Sequence, residues 1–453
     1  MFYRNKSNSC KDKLAKNRER APLLLLGALL FCLIGTIFAR DLQQLEVSMD
    51  QFISNKNHAS ITPSYMSDFS CIGDKCPDNC CTSSWVITID KETFYKYKKV
   101  NDLQLKDKIS RSLKKFKMGR TAEKFGYIAH EKGTERCMFQ QECGLCQIQS
   151  ELGEDALSKT CRTFPRRVKK FNNASFLTGM TSCPEITKLC LSGEVEIEKI
   201  DKPRNFVQNI SIATTTSNCE TTILEVTINL IKTSELSPSM QVLLLVQLVE
   251  MFQKFNYVPT EMEYLLSAEK VRQKLSEISA LIDPTDAAIF QYNFFEKLLL
   301  EPNYNVTAIE PIAVLIKNIA NSFMYRSVKK AASISIYMNG KANILANFEQ
   351  RNPLLFTRLL INEILSNAEL FVHSNRAYKG VLRDITGRLS FTRFLLAGTA
   401  SSSGENFSMD DYVKSVYLSS RSLEHDAAKT ATLEKALTQQ DDNPIITSAL
   451  LLV

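Results

Sequence analysis

At 453 residues, with 44% apolar and 23% charged residues, the chain is long enough for two or three domains with cores of their own, and its composition excludes global disorder. Its formal charge of +7 sits almost wholly in residues 1–40, where eight Lys/Arg face only Asp12 and Glu19. The remaining 413 residues sum to +1, which argues against an electrostatic nucleic-acid binder.

The first element is a targeting pattern. A basic stretch from Arg4 to Arg20 precedes an uncharged apolar run, residues 21–39, closed by Arg40. As a helix this run spans about 28 Å, one hydrocarbon core. The positive charge before it would hold the amino terminus in the cytoplasm. Residues 1–40 therefore read as a signal-anchor or signal-peptide segment with membrane contact through 21–39, unless the true start lies downstream, for instance at Met49. Residues 41–64 are polar and read as a linker.

Residues 65–195 are expected to form a loop-rich domain, and ten of the thirteen cysteines fall between Tyr65 and Cys190. Trp85-Val-Ile-Thr-Ile-Asp90 predicts a short strand. Asp90 is placed to cap a helix starting at Lys91. A second short helix is expected over Gln147–Ser158, and Pro165 limits any helix that runs through Cys161. After Cys219 the composition changes: residues 220–453 hold no cysteine and few glycines. Helices are expected at about 240–255, 261–282, 285–300, 309–325, 353–371, 379–397 and 409–437, with Ser401–Asn406 as a loop. The fold class is mainly α: a loop-rich cysteine-cluster N-terminal domain with a short strand, followed by an all-helical C-terminal domain over 220–453.

The cysteines fall into two groups, Cys71-x4-Cys76-x3-Cys80-Cys81 and Cys137-x5-Cys143-x2-Cys146-x14-Cys161, followed by Cys183 and Cys190. Thiolates are soft, strongly donating ligands for zinc, iron and iron–sulfur clusters, and close spacing lowers the entropy lost in gathering them. The pattern leaves the metal open, and a purely structural zinc site or disulfides in an exported protein would use the same residues. Cys10, Cys32, Cys190 and Cys219 read as small buried hydrophobes. Cys143 is ambiguous, because Cys143-x2-Cys146 has ligand spacing. His130, seven residues before Cys137, is the one histidine near a cysteine group.

Several phrases of this region resemble the flagellin lysine-N-methylase family, of the FliB type. They are Tyr65-Met-Ser-Asp-Phe-Ser-Cys71-Ile-Gly73, Cys76-Pro-Asp-Asn-Cys80-Cys81, the Trp85–Asp90 stretch, Gly144-Leu-Cys146 through Cys161-Arg162-Thr-Phe-Pro165-Arg166, and Ser182-Cys183-Pro184-Glu185. In the tail, Arg393-Phe-Leu-Leu-Ala-Gly398 and Arg421-Ser-Leu-Glu424-His425 are similar as well. The cysteine arrangement also resembles YkgJ-type zinc- or iron-chelating domains. Those two resemblances imply Cys76, Cys80, Cys81, Cys137, Cys146 and Cys161 as shared metal ligands, with Cys71 and Cys183 belonging to the methylase-like version and Cys143 an addition of this chain. Ser83-Ser84 stands where the family tends to have glycine.

The resemblance implies methyl transfer from S-adenosylmethionine to lysine amines of flagellin in the cytoplasm, tethered to the inner membrane if 21–39 is retained. It also implies a 4Fe-4S cluster, or zinc or iron, at the cysteines. Tyr65, Asp90, Glu151 and Asp155 are the candidates to orient or deprotonate the lysine, and Arg162, Arg166 and Arg167 to hold a carboxylate. Each has an ordinary structural alternative, as helix cap or solvated face. None of the fifteen glycines stands two residues from another, so the usual glycine-rich cofactor turn is absent. The competing reading is a non-enzymatic zinc- or iron-binding or redox-sensing module whose helical domain meets a partner.

Overall fold

The computed structural model describes residues 59–439, apart from 83–84, 135, 172–173, 194–195, 201–209, 212–217, 280–282, 302–303, 305–310 and 325–329, together with 451–452. The apolar run 21–39 lies outside these residues. Among those described, no helix is long and apolar enough to cross a membrane.

The chain is mainly α, with two small sheets near its start. Strands β1 (Ala59–Pro63), β5 (Arg166–Phe171), β6 (Ala174–Gly179), β7 (Ile197–Ile200) and β8 (Ile210–Ser211) form a five-stranded sheet in the order β7-β1-β6-β5-β8. β1 runs parallel to β6 and antiparallel to β7, with Ile61 opposite Phe176. These two side chains join the core of the helical region, while Ser60 and Ser175, one position earlier, share a hydrogen bond of 2.6 Å. The period-two alternation explains why one face is apolar. β1 falls inside the stretch expected as linker: Ala-Ser-Ile-Thr-Pro has one large apolar residue and gives almost no alternation signal.

A three-stranded antiparallel sheet, β2 (Ile87–Ile89), β4 (Gly126–Ile128) and β3 (Leu113–Lys115), is ordered β2-β4-β3. Ile87, Ile89 and Ile128 are buried against Phe94, Tyr97, Leu105 and Ile109 from the helices Lys91–Lys98 and Leu103–Ser112. Gly126 is required by close approach, because a Cβ there would stand 2.4 Å from the Lys114 carbonyl oxygen and 2.9 Å from the Phe94 ring.

The helices from Asn218 onward surround one large core. Pro238–Lys254 is buried on nearly every face, as its apolar run predicts. The segment expected at 353–371 is split into Leu355–Ser366 and a 3-10 turn, and the segment at 409–437 into Met409–Glu424 and Ala427–Thr438, where Asp426 caps the second helix. Tyr378–Ser403 runs past the expected end into the predicted loop and stops at Gly404, whose φ of 59° is open to glycine. A wide helical turn over Gly340–Leu345 packs on it so closely that a Cβ at Gly340 would meet the Ala397 carbonyl at 2.7 Å. Leu355–Ser366 and Met409–Glu424 both pack on the helix Pro184–Ser192, and so bring the helical region against the cysteine loops.

Candidate metal centre

The first cysteine loop folds onto the second through glycine. A Cβ at Gly73 (φ 58°) would stand 3.1 Å from the Leu145 side chain, and one at Gly144 (φ 85°) 3.5 Å from Asp74 Cα. The backbone then joins the loops directly: the Cys137 N–H donates to the Cys81 carbonyl at 2.7 Å, and Thr82 bridges Arg136. Asn79 Oδ1 accepts from Cys81 N (3.0 Å), Thr82 Oγ1 (3.3 Å) and Gln140 Nε2 (3.1 Å), so one side chain holds both loops. Cys146 is paired with Gln140 across an isolated bridge.

The remaining thiols arrive on helix starts. Cys146 precedes Gln147–Leu152, Cys161 lies in the first turn of Lys159–Thr163, and Cys183 precedes Pro184–Ser192. The Ser158 hydroxyl accepts from Cys161 N at 3.2 Å. Thr88 and Thr160 hydroxyls, 2.7 Å apart, tie the Cys161 helix to β2. The helix expected over 147–158 stops at Leu152, because Gly153 takes φ 85° and the chain turns before Ser158 caps the next helix.

Electrostatically the thiols form one group. Cys80 lies within charge–charge range of Cys76, Cys137, Cys146, Cys161 and Cys183, and is hydrogen-bonded to Cys81. That bond brings Cys80 down to about 7 against its burial, with help from Arg421, while Cys81 keeps its proton. Burial pushes Cys137 up to about 11 and Cys183 up to about 12. Neighbouring backbone N–H groups oppose this: those of Asp78 at Cys76, Phe139 and Gln140 at Cys137, Ile148 and Gln149 at Cys146, and Glu185 and Ile186 at Cys183. Those N–H groups stabilise thiolates, the form that binds metal. Among the described residues the ten cysteines carry no disulfide, and no three His, Cys, Asp or Glu side chains stand together as a ready-made metal cage. The chemistry of the donor set nonetheless fits a thiophilic centre: soft sulfurs within charge range of one another, backbone N–H groups nearby, and the Arg421 guanidinium beside Cys80.

Cys71 is exposed and within charge range of Arg166, which is also within charge range of Cys183 and lies 4.8 Å over the Phe69 ring. Cys143 is exposed and meets Gln141 at 3.7 Å. Cys190 belongs to a small core with Tyr65, Met66 and Ile186 that also takes in Cys183. His130 is bridged by its backbone to Cys137, and its Nε2 is buried without a hydrogen-bond partner among the described residues.

The helical region closes one side of the group. Arg421, on Met409–Glu424, meets Asp78 Oδ1 at 2.6 Å, donates to the Asp78 carbonyl at 2.8 Å and reaches the Ser182 carbonyl at 3.3 Å. Its guanidinium lies 5.1 Å over Trp85, whose other neighbours are His425 (4.2 Å) and Phe164 (5.6 Å). His425 Nε2 is 3.0 Å from Ser182 Oγ, and burial followed by Arg421 and Arg167 pushes the imidazole down to about 4.

Residues 225–451, half of the chain, match the FliB lysine N-methylase C-terminal domain. The chain belongs to the FliB lysine N-methylase family. It is also similar to flagellar biosynthetic protein FliU of Salmonella muenchen, 32% identical over 130 residues that make up 29% of this chain and 75% of that one. Lysine-N-methylases of Salmonella choleraesuis (strain SC-B67) and Salmonella typhimurium (strain LT2) are each 33% identical over 133 residues, 29% of this chain and 32% of theirs, so the alignment spans about a third of those relatives. No solved structure matches the chain.

Within this FliB-family structure the candidate catalytic residues are scattered. Tyr65 is buried; its hydroxyl donates to Asn362 Oδ1 at 2.5 Å and accepts from Gly179 N at 3.2 Å, and burial, with the nearby Cys190 next, holds its proton well above the usual range. Asp90 caps Lys91–Lys98 through Thr93 N (2.8 Å) and also accepts from Lys159 N (3.3 Å); these bonds outweigh its burial and hold the carboxyl below its usual range. Asp155 and Glu151 are exposed, and Glu151 accepts from Gln147 at 2.8 Å. Arg167 faces Glu424 at 3.6 Å. The sequence singled out none of Asp78, Asn79, Gln140 or Ser182 as site residues, and Arg421 and His425 only as a tail resemblance. No spacing rule joins Arg421 to an aspartate 343 positions earlier.

Proposed function

We propose that this FliB-family chain is a protein-lysine N-methyltransferase that methylates flagellin in the cytoplasm, taking the methyl group from S-adenosylmethionine, with a metal or iron–sulfur centre held by Cys76, Cys80, Cys81, Cys137, Cys146, Cys161 and Cys183. The observation that supports the centre is that Cys76, Cys137, Cys146, Cys161 and Cys183 all lie within charge–charge range of Cys80, which is itself hydrogen-bonded to Cys81. Cys71, beside Arg166, is an outer candidate. When bound, such a centre supplies Lewis-acid or redox chemistry beside the substrate. The chain's own residues hold the loops in place: Asn79 and Gln140 tie them together, and Trp85 packs with Phe164 and His425 beneath Arg421.

Methyl transfer needs a lysine amine freed of its proton, whose lone pair takes the methyl while the sulfonium sulfur keeps the S–C electrons. Tyr65 and Asp90 spend their polar atoms on Asn362, Gly179, Thr93 and Lys159, so they act in this reading as supports. Asp90→Ala is expected to cost about 1 kcal/mol of stability as a lost cap, with methyl transfer retained within about tenfold. Abolished transfer in a variant with normal melting and metal content would return Asp90 to a chemical role.

The deciding experiment is an anaerobic preparation of the full chain, analysed for iron, zinc and acid-labile sulfide and then incubated with flagellin and labelled methyl donor. Bound metal together with label in flagellin lysines is the expected result. Bound metal without methyl transfer would favour the non-enzymatic metal module, and metal-free protein joined by S–S bonds would remove the centre.

A further inference from the structure

The near-neutral body conceals a strongly polarised surface. Residues 91–127 hold twelve Lys/Arg against four Asp/Glu, a net +8, so the rest of the chain after residue 40 carries −7. The structure folds this segment into one unit: helix Lys91–Lys98, helix Leu103–Ser112 and the β3–β4 hairpin. Lys98, Lys114, Lys115, Lys117, Arg120 and Lys124 are all exposed, and among the described residues none of them forms an ion pair.

These cations are mounted on aromatic rings. Lys115 Nζ lies 5.5 Å over Phe94, 5.7 Å over Tyr95 and 5.4 Å over Phe125; Lys98 is 5.5 Å over Phe94, Arg120 5.9 Å over Phe125 and Lys124 5.3 Å over Phe116. Such contacts hold flexible ammonium groups in place and lower the entropy lost when a partner arrives. The face also has a fixed relation to the thiols. Tyr97, buried on the inner side of the helix that carries Lys98, is within charge range of Cys161, Cys146 and Cys137, so the basic unit packs on the thiol-bearing loops.

We propose that this face docks an acidic, extended segment of the protein substrate and so holds a neighbouring lysine beside the thiol centre; this rests on the methyltransferase reading for the identity of the partner. Charge complementarity selects an anion. The rings that would stack bases already carry the chain's own cations, which disfavours single-stranded nucleic acid. The negative remainder of the chain would also repel a polyanion longer than the face. A membrane would need a contiguous apolar wedge among the cations, and among the described residues the exposed large apolar side chains of this unit, Tyr95, Leu103 and Met118, come from three separate places: the first helix, the start of the second and the hairpin tip.

The test measures binding without methyl donor, using full-length metal-loaded protein with labelled polyglutamate and with flagellin as probes. Polyglutamate affinity is expected to fall by about tenfold or more between about 0.05 and 0.3 M ionic strength. The triple variant Lys115→Glu/Arg120→Glu/Lys124→Glu is expected to lose about tenfold or more for both probes at unchanged metal content, while Lys115→Arg/Lys124→Arg retains binding. Affinity within twofold of the parent in the charge-reversed variant overturns the proposal. So does tighter binding of a single-stranded oligonucleotide of matched charge, or of phosphatidylserine vesicles, or self-association abolished by the same three changes. The two readings separate cleanly: probes held at this face with no label transferred sink the methyltransferase reading alone, and transfer with an unchanged KM for flagellin in the triple variant sinks the docking face alone.

Discussion

Cys80→Ala is expected to empty the thiol centre and reduce methyl transfer to below about one-hundredth, a loss at least as large as those known for removing supporting groups around a metal. The reason lies in its place among the sulfurs. Cys80 is the thiol that the others share as a neighbour, and hydrogen bonding from Cys81 leaves it the most readily ionised of the group, at about 7. Without it the two loops remain joined by the Cys137–Cys81 backbone bond and by Asn79, so the protein is expected to stay folded while its metal is lost. Cys161→Ala should behave likewise, because Cys161 reaches the same group from the helix Lys159–Thr163. Cys143→Ala is the control: the residue is exposed and, among the described residues, is bonded to Gln141 alone, and full metal content with full transfer is expected. Metal analysis of the three variants beside labelled-methyl assays checks this, and full occupancy in Cys80→Ala would show that the ligands lie elsewhere.

The grouping of the cysteines was legible in the sequence because cysteines are rare and here closely spaced, so spacing alone collects them into two loops. The cap at Asp90 and the buried helix Pro238–Lys254 were legible for a similar reason, since each is a local pattern. What the sequence hid is long-range. β1 has one large apolar residue and acquires its place by pairing with Ala174–Gly179, more than a hundred positions away. The helix Lys330–Asn339 and the wide turn that follows it show no clean amphipathic stripe, because they are covered from several sides by Pro284–Leu299 and Tyr378–Ser403. Tyr65 looked chemical in a family phrase, yet its hydroxyl joins β6 to Leu355–Ser366, a contact spanning 297 positions. The basic face was hidden by an average, its +8 cancelled by an acidic remainder that folds elsewhere.

Arg421→Ala is expected to destabilise the protein by about 3–5 kcal/mol and to weaken metal retention, although Arg421 is no ligand. Its pair with Asp78 is almost dry, with side chains 10% and 9% exposed. Removing the guanidinium leaves a buried carboxylate whose Oδ2 already lacks a hydrogen-bond partner among the described residues. Asp78 sits between Cys76 and Cys80, so the strain falls on the ligand loop itself; the same guanidinium also holds the Ser182 carbonyl, next to Cys183. Arg421→Lys keeps the charge but cannot make the forked contact with Asp78 and the turn to Ser182, and should fall between parent and alanine. Asp78→Asn removes the orphaned charge, so the double variant Asp78→Asn/Arg421→Ala should be more stable than the sum of its single changes predicts, by about 1 kcal/mol or more. Denaturant melts together with the rate of metal loss to a chelator measure both quantities. Additive melts, or chelator rates equal to the parent in Arg421→Ala, would mean that the helical region rests beside the cysteine loops without steering them.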